Sequence, residues 1–429
     1  MWNDNQAQSV MLKVIRLPVF LFLASFLCVL VLFEVLARVF IIPSTSCYGI
    51  FLGRELPPYM VHSKRTSKGS ESSLYLISAK PLTVDGDEIT SGDLWGIRRE
   101  DAHLGYAPQE NSISVNGWSQ INSLGAHSRR DLPKERTPGK KRILTLGDSY
   151  TQCSRVRLEE SWPFFLEYSD SGLEVVNFGV EGYSLAQTFL KYEMVKRQID
   201  HDLVLLMFVP HDNLWRDINM WRTLWGWSSA NLMPRFEIGS GGELVLIRSP
   251  YRNRAEFMAA NKNRVSPELS EFLRQHDRFY FPANYEPDPF GGSLITYKLL
   301  VKAWSKLRLS RMRNDLYDPG KEALRLSRKM ISALRNSAAL EHSGFVLVFL
   351  PSPQEISLYR RDKDYRNRWN KMVRYASGDG AVRHIDLLPE LCKLSRDNLD
   401  YGYDGSHYGA RTNAAIAEII RQRLSAMSE

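Results

Sequence analysis

The stretch "RILTLGDSYTQ", residues 142–152, decides how the chain is read. An apolar run with the composition of a buried strand breaks off in Gly147-Asp148-Ser149. Gly-Asp-Ser is common turn chemistry, so the triplet can be a plain strand-to-helix turn. It can also hold the Ser149 hydroxyl at the rim of a sheet, where a nucleophile would meet its substrate. The text that follows bears on that choice.

From about residue 140 the pattern alternates. Apolar runs at 142–148, 173–180, 201–210, 345–353 and within 381–391 read as strands. Between them, 160–169, 184–199 and 323–344 read as helices, the last ending at Gly344, and 411–427 reads as a closing amphipathic helix. Leu185, Phe189, Tyr192 and Val195 recur near the helical period. Strands apolar on both faces and separated by helices predict an α/β fold with a parallel sheet covered on both sides. Ligands of such sheets sit beyond the carboxyl ends of the strands, which is where Ser149 falls.

A serine hydroxyl is a weak nucleophile until a base takes its proton. The segment "YGYDGSHYGA", 401–410, supplies Asp404 and His407 three residues apart, after the last strand. An imidazole serves as the base when a carboxylate fixes its tautomer and stabilises its charged form. Ser149, His407 and Asp404 thus form a candidate nucleophile, base and orienting group. The loop "NFGVEGYS", 177–184, offers Gly179 and Gly182, where a backbone N–H can approach a substrate closely. The loop "VPHDNLWRD", 209–217, offers His211 and Asn213 as side-chain donors.

Four segments in order, "ILTLGDSYTQ", "VVNFGVEGYS", "LVLLMFVPHDN" and "DGSHYGA", resemble the SGNH hydrolases, also called the GDSL esterase/lipase superfamily. The resemblance covers about residues 140–425, and the lead-in "INSLGAHSRRDLPKE" is similar to membrane-anchored bacterial members. It implies a three-layer, flavodoxin-like fold, with Ser149 as nucleophile, Asp404 and His407 completing a triad, and the Ser149 and Gly182 amides as oxyanion donors. One departure stands out. The family's third motif usually reads Gly-x-Asn-Asp, with the Asn side chain as a further donor, and here His211-Asp212 takes that place. A neutral His211 N–H or the Asn213 side chain would have to replace it. In the related alginate-type O-acetyltransferases the Asp-His pair precedes the serine motif. Here it follows, which favours the hydrolase arrangement, and the resemblance together with the expected membrane anchor points to an O-acyl ester, such as O-acetyl on a surface polysaccharide. Acyl transfer to a glycan, or a catalytically weak glycan-binding or assembly protein, are the alternatives.

The chain of 429 residues is 44% hydrophobic and 24% charged, a globular composition. Its formal charge of +8 is spread along the chain with no reader motif, which argues against nucleic-acid binding. No GxSxG, HExxH or P-loop occurs, and no cofactor or metal is expected. Residues 17–33 carry no charge, and the run extends to 37 if Glu34 sits near an interface. A bilayer core takes about 20 apolar helical residues, so 17–37 is expected to be an uncleaved anchor. Lys13 and Arg16 before it favour a cytoplasmic N-terminus and a main domain in the periplasm or outside the cell. Cys28, Cys47, Cys153 and Cys392 show no metal spacing, and Cys47 and Cys392 could pair in such a compartment.

The expected layout is a cytoplasmic tip and anchor at 1–42, a linker and small strand region at 43–138, and a hydrolase domain at 139–429. An insertion at about 214–320 carries Trp215, Trp221, Trp225 and Trp227 and a probable hairpin at 235–247. The tryptophans read either as a lid or sugar-stacking wall or as core beneath a long loop. The basic amphipathic segment 294–313 reads as packed helix with a solvated face, or as a surface for phospholipid heads or acidic glycans.

Overall fold

The computed structural model describes residues 4–43, 47–59, 82–84, 87–89, 97–222, 232–261, 265–286 and 294–427. Trp225 and Trp227 and the polar stretch 62–73 lie outside the described residues. Two compact units are distinguished. The larger comprises Ser63–Ala260, Glu271–Tyr280 and Arg311–Glu429, and the smaller Met1–His62, Asn261–Ser270 and Phe281–Ser310.

The larger unit is built on a parallel sheet. Its strands are β1 (Lys141–Leu146), β2 (Leu173–Asn177), β3 (Leu203–Phe208), β4 (Gly344–Phe349) and β5 (His384–Asp386). Their spatial order is β2-β1-β3-β4-β5, with Ile143 opposite both Val175 and Leu203, and Val204 opposite Phe345. This is the doubly wound order whose direction reverses at β1, leaving a crevice between the ends of β1 and β3. Every residue of β3 is buried, as its unbroken Leu-Val-Leu-Leu-Met-Phe text requires of a central strand.

Helices α2 (Ser149–Gln152) and α3 (Trp162–Tyr168) follow β1, α4 (Leu185–Val195) follows β2, and α5 (Pro210–Arg216) and α6 (Glu322–Leu340) follow β3. The closing helix α7 (Ala410–Ala426) packs on α3, and α4 packs on α6. These two pairs cover opposite faces of the sheet, as right-handed crossovers on either side of β1 require, giving three layers. The segment before β1 bridges the free edge of β2, where His127 N–H donates to Asn177 O at 2.8 Å.

Several expected boundaries move: the helix expected at 184–199 spans Leu185–Val195, and the strand expected at 345–353 ends at Phe349. Helix α6 stops at Leu340 rather than Gly344, because His342 takes a left-handed φ of 58° and Gly344 already opens β4. Strand β2 stops at Asn177, whose side chain turns to accept the Gly179 N–H at 2.9 Å. The hairpin of the insertion forms as expected, pairing Arg235–Ile238 with Leu244–Ile247.

In the smaller unit, α1 (Asp4–Val39) contains a 20-residue stretch, Phe20–Val39, long and apolar enough to cross a membrane. Its large side chains are mostly exposed, Phe20, Leu23, Phe26, Val29 and Leu32 among them. Near its end Ala37 packs with Leu56 and Ile295. Glu34 accepts hydrogen bonds from the Ile295 and Thr296 amides (2.7 and 3.0 Å) and from Thr296 Oγ1 (3.0 Å). The one acidic residue of the apolar stretch therefore finds its partners at the first turn of the helix Ile295–Asp315.

Candidate active site

Two residues after β1 the chain turns into α2, and Gly147 is what lets it. A Cβ there would lie 2.1 Å from Thr151 Oγ1 and 3.1 Å from Met207 Cβ. Asp148 caps α2, accepting the Tyr150 N–H at 3.1 Å, and Ser149 is the first helical residue. The neighbouring strand braces this turn. Asn177 Nδ2 donates to Thr151 O at 2.9 Å, and Gly179 packs so closely that a Cβ would sit 2.4 Å from Gln152 N.

Before α7 a tight loop carries the other two residues. Asp404 Oδ1 accepts the Ser406 and His407 amides at 3.0 and 3.1 Å, folding the Asp-x-x-His segment back on its own carboxylate. That leaves Oδ2 for His407 Nδ1 at 2.6 Å. The other ring nitrogen, Nε2, stands 2.9 Å from Ser149 Oγ. The imidazole stacks on Tyr150, with centroids 4.6 Å apart, and Tyr150 Oη donates to Ser406 O at 3.0 Å. Residues 258 positions apart in the chain are thus within hydrogen-bond reach. With Asp404 accepting from Nδ1, the neutral ring presents a bare Nε2 to the serine hydroxyl, which donates to it.

Burial opposes ionisation of Asp404, but the His407, Arg155 and Ser406 contacts together hold it well below the usual carboxylate range. Arg155 Nε donates to the same Oδ2 at 3.1 Å, and its Nη2 donates to Glu181. Arg98 binds the second oxygen of Glu181 at 2.8 Å. Against its own burial, these two guanidinium groups pull Glu181 down to about 2.

The residues expected around the oxyanion divide. The Ser149 and Gly182 amides hydrogen-bond to none of the described residues. Gly182 has a φ of 79°, a left-handed turn suited to glycine. Its carbonyl accepts from the buried Arg222, whose Nη2 also reaches Gln187 Oε1 at 2.8 Å. The Gly179 amide is already used by Asn177.

Asn213 is not a free donor. Its Oδ1 accepts the Val209 N–H at 2.8 Å and its Nδ2 faces Tyr183 O at 3.5 Å, so it caps the start of α5. The His211 side chain is half exposed, and its Nδ1 meets Asp212 Oδ1 at 3.2 Å. Asp212 Oδ2 accepts from Arg216 Nη2 at 2.8 Å, and Arg216 Nη1 donates to Asp148 Oδ2 at 2.9 Å. One guanidinium therefore serves two carboxylates, that of Asp148 fully buried and that of Asp212 partly so. Burial pushes Asp148 up, whereas Arg216 and His211 hold Asp212 low despite its burial. Burial pulls the His211 ring down, but Asp212 more than offsets it, and the net direction is up.

Sequence reasoning missed Arg155, Glu181, Arg216 and Arg222. Only Arg216 carried a local signal, standing four residues after Asp212 on one helix. Among the described residues no group of three or more His, Cys, Asp or Glu is placed to hold a metal ion. None of the four cysteines is in a disulfide. Trp215 and Trp221 are buried, which suits core rather than an open sugar-stacking wall for these two.

No family model and no curated protein matches the chain. Several solved structures do. A lipolytic protein of the G-D-S-L family from Desulfitobacterium hafniense is 13% identical, with a TM-score of 0.31, over 66% of this chain and 99% of its own. An acetyl xylan esterase from Geobacillus stearothermophilus is 15% identical, with a TM-score of 0.34, over 66% and 95%. An esterase from a Pseudoalteromonas species is 10% identical, with a TM-score of 0.33, over 67% and 98%.

Proposed function

We propose that the chain, read as a member of the SGNH superfamily its motifs resemble, is a membrane-anchored serine esterase that hydrolyses O-acyl esters of carbohydrates. One observation carries the reading: Ser149 Oγ lies 2.9 Å from His407 Nε2 while His407 Nδ1 lies 2.6 Å from Asp404. In this mechanism His407 takes the Ser149 proton as Oγ attacks the ester carbonyl. The Ser149 and Gly182 amides donate to the oxyanion, each worth about 3 kcal/mol by analogy with other hydrolases. The tetrahedral intermediate collapses, and His407 returns the proton to the departing sugar alkoxide. Water, deprotonated by the same ring, then attacks the acyl-serine, releasing the acid and restoring Ser149.

In this reading 17–37 is the anchor that tethers to a membrane a region at 43–138 and a hydrolase domain at 139–429, whose insertion is at about 214–320. Support for retention of that helix comes from Glu34 and Ala37, which belong to the packing of the smaller unit. The domain faces the periplasm or cell exterior in this reading, and O-acetylated surface polysaccharide is the substrate class.

The test is labelling by a fluorophosphonate probe and release of acetate from acetylated glycan by the purified full chain. Wild type is expected to do both and Ser149→Ala neither, with unchanged thermal unfolding. Failure of folded wild type to take the label overturns the reading. Acetate that appears only on an added glycan acceptor, never free, replaces hydrolysis by transfer.

A further inference from the structure

The helix Ile295–Asp315 of the insertion has two unlike faces. Ile295, Lys298, Val301 and Ser305 point inward. Ile295 and Leu299 pack against Ala37, Leu56, Ile41 and Phe51, and the Lys298 ammonium lies 4.0 Å over the Tyr48 ring. The outward face repeats at i, i+3, i+4 and i+7. It consists of Leu300, Ala303, Trp304 and Leu307, all exposed, with Leu300 at 64%, Trp304 at 54% and Leu307 at 62%. A helix in water would be expected to put polar residues on that face. Lys306 and Arg308 flank the stripe, and the Arg308 guanidinium lies 5.5 Å from the Trp304 ring centroid.

The start of this helix is tied to the membrane span. Glu34, whose carboxylate holds the Ile295 and Thr296 amides, stands five residues before the end of the apolar stretch at Val39. At 1.5 Å per residue that is about 7 Å along the axis of α1. Helices that lie in a bilayer interface sink their apolar face about 5–10 Å, with tryptophan at the headgroup level and cations toward the phosphates. The depth of the tie, the exposed apolar stripe, the tryptophan and the flanking cations agree.

We propose that the outward face of Ile295–Asp315 is a second membrane contact: Leu300, Trp304 and Leu307 insert into the leaflet next to the anchor, and Lys306 and Arg308 meet lipid phosphates. The inference rests on the anchor reading but not on acyl-serine chemistry. It turns a single tether into a two-point attachment of the smaller unit.

The full chain, reconstituted in vesicles of phosphatidylcholine and phosphatidylglycerol, tests it through nitroxide labels. Labels go singly on the native Cys28 in the span, on Trp304→Cys, on Leu307→Cys, and on Tyr168→Cys as an aqueous reference, since Tyr168 is 83% exposed in the larger unit. The other accessible cysteines are replaced by serine. The ratio of collisions with oxygen to collisions with a water-soluble nickel chelate reports immersion in lipid. The expected result is a ratio at positions 28, 304 and 307 severalfold above that at 168. A lipid-immersed label at 28 with aqueous labels at 304 and 307 overturns the proposal and leaves the anchor standing. An aqueous label at 28 removes both.

Discussion

Arg155 Nε and His407 Nδ1 share one acceptor, Asp404 Oδ2, at 3.1 and 2.6 Å. The carboxylate that contacts the ring thus also pairs with a part-buried guanidinium. Arg155→Gln removes the cation while keeping much of the side-chain volume. The expected result is a fall in kcat/KM of about tenfold, equivalent to about 1.4 kcal/mol, which Arg155→Lys restores in part because it returns a cation. A merely structural role for Arg155 would lower thermal stability and leave Arg155→Lys no more active than Arg155→Gln.

His211 predicts a dependence of its own. With Nδ1–H donated to Asp212, the neutral ring has only a lone pair at Nε2, and it becomes a donor there as the imidazolium. Asp212 raises the pH at which that proton is lost. Activity is therefore expected to fall on the alkaline side as the imidazolium is lost. His211→Asn, which supplies a proton-independent N–H, should flatten that fall. His211→Ala should cost on the order of 100-fold at pH 6 and far less at pH 9. Parallel profiles for wild type and His211→Ala would remove His211 from the chemistry.

Gly179 tests how rigid the turn that carries Ser149 must be. A Cβ would meet Gln152 N at 2.4 Å and Thr151 C at 2.6 Å, both backbone atoms with no room to yield. Gly179→Ala is expected to cost about 1–3 kcal/mol of stability, as overpacking does, and to slow fluorophosphonate labelling of Ser149 beyond that loss. Urea unfolding and labelling rate on one preparation separate the two effects.

His127 carries a stability prediction. Burial, with Arg98 and Lys191 nearby, pushes its ring down to about 3. An unfolded histidine titrates near about 6.5. Between these values the unfolded chain binds a proton that the folded protein refuses, so stability rises with pH across the window. The contribution is complete above the upper value and is lost as pH falls toward the lower. His127→Gln cannot titrate, so its urea midpoint should drop less between pH 7 and pH 4 than that of wild type. Equal drops would show that His127 is not the group responsible.

The sheet was legible because its strands are apolar runs bounded by turn chemistry. β3 could hardly be anything but a central strand. The meeting of Ser149, His407 and Asp404 was legible because both halves sit at turns with short, chemically explicit text. What could not be read is what holds those loops. Arg155 meets Asp404 across 249 positions, and Arg216 meets Asp148 across 68. No periodicity encodes such distances. Asn213 was legible as a polar residue in the right loop but not as a cap, because capping depends on where α5 begins. The exposed stripe from Leu300 to Leu307 was visible as amphipathicity, yet sequence could not say which of its faces met protein.

The hydrogen bonds from Ile295 and Thr296 to Glu34 bear on where the N-terminus can be shortened. Trimming the N-terminus at residue 40, the obvious site for removing a greasy leader, would delete the carboxylate that terminates another helix 261 positions downstream. It would also strip Ala37 from beside Leu56 and Ile295. Trimming before Glu34 instead preserves that seat, and the difference in yield of monodisperse material between the two cuts measures what the end of α1 does for the folded protein.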